Sequence, residues 1–106
     1  MRLTKNMYYK ETEASNELSL FTVNYDSIYF DWILPTIRNL RKHWAKGKWN
    51  PNKAVWSFYR VACESAKRYN KEIDSTYKFP VQARWTVAEV LLEYYMEDIE
   101  AIENEA

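Results

Sequence analysis

A single glycine in 106 residues constrains this fold more than any other feature. Strand-to-strand turns draw on glycine for positive φ, and an all-β chain needs many of them. Proline, at three positions, does not fill that role. The chain is therefore read as all-α, a small compact bundle of about four helices.

Apolar spacing gives the same answer. In the first segment, roughly Thr12 to Asn24, Ala14, Leu18, Phe21 and Tyr25 step by four, three and four, the period of one helix face. The second is expected to start at Asp26 as N-cap and end at Gly47, with Phe30, Ile33, Ile37, Leu40 and Trp44 as its stripe. Pro35 lies inside it, and an interior proline removes a backbone bond and clashes with the carbonyl four residues back, that of Asp31. A kink or break is expected there. The third begins at Asn50-Pro51, a cap followed by proline at the first helical position. Val55, Tyr59, Ala62, Ala66 and Tyr69 form its stripe, which Trp56, Phe58 and Cys63 widen, and it ends near Asn70 to Asp74. In the fourth, with Pro80 at its start, Val81, Trp85, Ala88, Leu92, Tyr95, Ile99 and Ile102 alternate steps of four and three. Residues 1–11 read as an arm that could pack on the bundle or run extended, and residues 12–106 as one helical domain with an acidic C-terminal end. Loops are expected at Gly47 to Asn50 and at Asp74 to Phe79.

Composition bounds the class. With 47% hydrophobic residues, five Trp and nine Tyr, the chain is rich enough in apolar groups for one core. The lone Cys63 cannot form an internal disulfide, and no apolar run resembles a signal peptide or a membrane span. A cytoplasmic protein without membrane contact is the expectation.

Charge is sorted along the chain. Between Trp32 and Cys63 there are seven Lys or Arg and no acid, whereas beyond Arg84 there are seven Asp or Glu and no base. The candidate interaction surface follows from the basic stretch: Arg38, Arg41, Lys42, Lys46, Trp49, Lys53, Trp56 and Arg60, joined by Tyr94 as a surplus aromatic near the C-terminus. Cations neutralise phosphates and aromatic rings stack on unpaired bases, so this mixture suits nucleic acid. It equally suits a protein surface anchored by Trp and Tyr. Arg38 to Lys46 also sit where cations favour a helix macrodipole. Glu89, Glu93, Glu97 and Glu100 share one face of the fourth helix and could pair with Lys53, Arg60 and Lys67. Chemistry finds little support. His43 and Cys63 are each the sole residue of their type, and one glycine cannot build a phosphate loop. No catalytic, metal or cofactor residues are assigned, and the expectation is a non-enzymatic protein without a cofactor.

Several runs resemble small uncharacterised helical proteins of tailed bacteriophages: Glu11 to Ala14, Leu18 to Phe21, Asn24 to Tyr29, Leu34-Pro35, Asn39-Leu40, Ala45 to Lys48, Asn52 to Val55, Ala66 to Tyr69, Ala83-Arg84 and Leu91 to Tyr95. The likeness would span residues 11–98. It implies a helical fold and a phage accessory protein made in a bacterial cytoplasm, and it carries no functional residues. The first expectation is therefore a protein that binds a host or phage protein through a charged, aromatic helical surface. The alternatives are a nucleic-acid-binding module using Arg38 to Arg60, and a virion or self-assembling component forming homo-oligomers.

Overall fold

The computed structural model describes residues 5–101, with side chains over 13–101. Its elements are α1 (Lys5–Asn24), α2 (Asp26–Ile28), a π-helical turn (Tyr29–Ile33), α3 (Leu34–Ala45), α4 (Pro51–Glu72) and α5 (Val81–Glu100). Since α2, the π turn and α3 run on without interruption, the bundle has four helical arms. Among the described residues there is no strand. Helix α1 begins at Lys5 rather than Thr12, so residues 5–11 are helical and not an extended arm. Residues 1–4, like Ile102 of the expected seam and the acids at 103 and 105, lie outside the described residues.

Local chemistry explains the ends. Tyr25 leaves helical geometry at φ −103°, ψ 105° and separates α1 from α2. It occupies the N-cap position expected for Asp26, which instead lies in the first turn, where its charge suits the helix dipole. Arg68 holds this corner to α4, its Nη1 donating to Ser27 Oγ at 2.7 Å and its guanidinium lying 5.8 Å from the Tyr25 ring centre. Helix α3 stops in a Schellman arrangement: Lys48 N–H donates to the His43 carbonyl and Gly47 N–H to that of Trp44. Gly47 supplies the left-handed residue at φ 67°. At the start of α4, Asn50 Oδ1 accepts from the amides of Asn52 and Lys53 at 3.0 and 3.2 Å, with Pro51 next to the cap.

The expected distortion at Pro35 takes the form of the π turn immediately before it. Leu34 N–H reaches back to the Tyr29 carbonyl, and Pro35, which has no N–H, enters the first turn of α3. One extra residue in the turn moves the apolar face. Ile28 and Ile33, five apart, are both buried, followed by Ile37 and Leu40. Phe30, expected in the core, is displaced to the surface at 63% exposure.

Helix α5 is the centre of the bundle and packs against α1, α3 and above all α4. Its buried residues are Ala83, Val87, Ala88, Leu91, Tyr95 and Ile99, facing Ala54, Phe58, Val61, Ala62, Ala66 and Tyr69 of α4, with Leu18 from α1 and Ile33 and Ile37 from the second arm completing the core. Small Ala side chains on both α4 and α5 let the helices approach closely. The expected α5 seam holds at Ala88, Tyr95 and Ile99, but Val81 is exposed and Trp85 only half-buried. A helix with neighbours on three sides buries a broad arc rather than one stripe.

Candidate binding groove between α3 and α4

Helices α3 and α4 are joined by a short loop, yet α3 leans mainly on α5. The gap left between α3 and α4 is a solvent-open groove. Its wider section, about 490 Å³, is lined by Asn39, Leu40 and His43 of α3, Lys48, Trp49 and Asn50 of the loop, and Lys53 and Ser57 of α4. A second section, about 290 Å³, is lined by Trp32, Pro35, Thr36 and Asn39 on one wall and Ser57, Arg60 and Val61 on the other. Asn39 and Ser57 line both, so the sections meet there.

The α3 wall is a polar line. Thr36, Asn39 and His43 step by three and four alongside the buried Ile33, Ile37 and Leu40. His43 Nδ1 lies 3.0 Å from the Asn39 carbonyl oxygen. A carbonyl can only accept, so Nδ1 donates this bond. On the α4 wall, Lys53 and Arg60 are two turns apart, with Ser57 between them donating to the Lys53 carbonyl at 3.0 Å. Trp49 packs edge-to-face on Trp44, with ring centres 5.3 Å apart, which anchors it where it lines the groove. Neither section is lined by a carboxylate.

The candidate residues from the sequence divide among different surfaces. Trp49, Lys53 and Arg60 line the groove. Arg38, Lys42 and Lys46 are exposed but line neither section. Arg41 is structural: its Nε donates to the Asp98 carbonyl at 2.7 Å, placing a cation on a carbonyl in the last turn of α5. Trp56 belongs to a ring cluster on the α4–α5 flank, 5.1 Å from Trp85 and 5.7 Å from Tyr59 (centre to centre), while remaining 57% exposed. Tyr94 projects from α5 at 66% exposure, against Tyr95. Lys48 is among the cations of the basic stretch but not in the candidate surface, and Trp32, Thr36, Asn39 and Ser57 are in neither set. The three-four spacing of Thr36, Asn39 and His43 was a signal available in the sequence.

The expected pairing of the α5 acids with α4 cations does not form. Among the described residues the ion pair is Lys67 with Glu64, at 3.4 Å on the same helix. Glu89, Glu93, Glu97 and Glu100 are exposed along α5. The charge sorting along the sequence thus persists in space, as a cationic groove and an acidic helix face. Among the described residues no three potential metal ligands gather, and no helix is long and apolar enough to cross a membrane. No family model, curated protein or solved structure matches the chain.

Proposed function

We propose that this chain is a non-enzymatic binding module that holds a polyanionic segment of a macromolecular partner in the α3–α4 groove. The carrying observation is that Lys48, Lys53 and Arg60 line the groove and no carboxylate does. Walls of low dielectric focus the field of those cations into the gap, which raises the local concentration of anionic ligands. The resemblance to small tailed-phage proteins suggests an accessory role in a bacterial cytoplasm. On a column of sulfated polysaccharide, the wild-type chain should be retained and the K48E/K53E/R60E variant should not. Lys71→Glu, on the same α4 stripe beyond the groove, should leave retention intact. Equal loss from Lys71→Glu would reduce the effect to net charge and remove the groove from the reading.

A second reading, a protein partner held by exposed rings, is favoured by Trp56 on the α4–α5 flank. It predicts a stoichiometric complex that survives nuclease and weakens on Trp56→Ala.

A further inference from the structure

We infer that the polyanion is an unpaired nucleic-acid strand, an inference that rests on the groove being the working surface. Charge alone admits an acidic peptide as well, so the choice turns on the uncharged lining. Trp49 and Trp32 stand at opposite ends of the groove, and flat indoles offer stacking faces that suit unpaired bases and not carboxylates. Where the two sections meet lie the Asn39 amide and the Ser57 hydroxyl, suited to base edges, sugars and phosphates. An amphipathic helix would need open apolar pockets for its anchor residues. Here the aliphatic side chains Leu40 and Val61 are already buried in the protein's own core.

The dimensions fit a short strand. From Trp32 to His43 the helical path rises roughly 16 Å at about 1.5 Å per residue. That spans roughly four or five nucleotides at the rise of about 3.4 Å of a base-stacked strand, and fewer where the strand is drawn out. Lys53 and Arg60 then meet the backbone at separated phosphates on one wall, with Lys48 at the loop. Bases paired in a duplex are stacked on each other and closed to the two indoles, so the groove selects single strands.

The test is fluorescence anisotropy of a labelled oligo-dT of about ten nucleotides with the full chain. A duplex of equal length and a labelled oligoglutamate serve as comparators. Oligo-dT should bind best. Three cations give a slope of about −2.1 in log affinity against log salt, a loss of about 18-fold between 50 and 200 mM. Trp49→Ala and, independently, Trp32→Ala should each weaken binding about tenfold while keeping that slope, and K53E/R60E should abolish it. Far-UV circular dichroism and melting of each variant separate lost binding from lost fold, and the two Trp changes at opposite ends keep the test valid if one disturbs packing. Oligoglutamate or duplex binding as tightly as oligo-dT would overturn the inference yet leave a polyanion-binding groove. Oligo-dT binding indifferent to Trp32, Trp49, Lys53 and Arg60 would overturn it too. Failure of every probe, together with no retention on the polysaccharide column, would remove the groove reading itself.

Discussion

Thr22 and Ser65 are hydroxyls with no solvent exposure, joined to each other across the α1–α4 contact. Thr22 Oγ1 also donates to the Leu18 carbonyl at 2.7 Å, so the proton between the two hydroxyls comes from Ser65. Thr22→Val preserves shape but strands the Ser65 hydroxyl, and should cost about 1–3 kcal/mol in denaturant unfolding. Adding Ser65→Ala removes the stranded group and should restore most of that loss; a double variant as unstable as the sum of the singles would mean the pair is not coupled. Two buried phenols set an alkaline limit. Tyr69 is pushed up to about 12 chiefly by donating to Glu17 Oε2 at 2.8 Å, and Tyr95 to about 12 chiefly by burial. Each keeps in the fold a proton that the unfolded chain loses near pH 10. Their contribution is complete below about pH 10 and is lost as pH rises towards 12. The melting temperature should fall across that window in step with tyrosinate absorbance, and Tyr69→Phe should make the fall shallower.

Three helix ends were legible in the sequence because their causes are local: Asn50 caps α4 with its own side chain, Gly47 supplies a positive φ, and Pro80 precedes α5, whereas the start of α1 at Lys5 and the cap at Tyr25 carry no such signal. The phase of the helix faces was less legible. Pro35 announced a distortion, but not that an extra residue would be absorbed before it, and that residue decides whether Phe30 or Ile28 enters the core. The groove was half legible. Its cations stood out in the sequence, whereas their union with Thr36 and Asn39 depends on α3 resting on α5, which no local signal encodes. The π turn makes a specific prediction. Deleting Phe30 brings Ile28 and Ile33 four apart, an ordinary α step, and Pro35→Ala in the same chain removes the clash that the wider turn relieves. The doubly altered chain should keep its far-UV helicity and melt cooperatively. Deleting Arg38, by contrast, rotates Leu40 and Trp44 out of phase with Ile33 and Ile37, and should cost several kcal/mol through loss of large core side chains. If both deletions proved equally damaging, the extra residue would not be what sets the phase.

At the scale of the molecule, α5 ends in acids with no basic residue in its last turn. Glu97, Asp98 and Glu100 oppose the helix macrodipole, and the Arg41 bond to the Asp98 carbonyl is the compensation visible at that end. With the exposed Glu89 and Glu93 they make α5 a negative face on a body of 45 × 32 × 16 Å that also carries the cationic groove. These dimensions exceed the Debye length at physiological ionic strength, about 8 Å, but are comparable with the ~30 Å reached at 0.01 M. A polyanion held in the groove as proposed would therefore feel this face at a distance only in dilute salt. There it would repel the polyanion in the groove as well as along every other approach, so it would lower affinity while narrowing orientation. Replacing Glu89, Glu93, Glu97 and Glu100 by Gln should then do two separable things. It should raise unfolding stability by roughly 0.3–1 kcal/mol for each acid in the last turn at low salt. It should also tighten oligo-dT binding at about 0.01 M salt and leave it unchanged near 0.15 M. A gain in affinity that persisted undiminished at the higher salt would mean that the strand touches α5 directly, and the path of the ligand would have to be redrawn from the groove onto that helix.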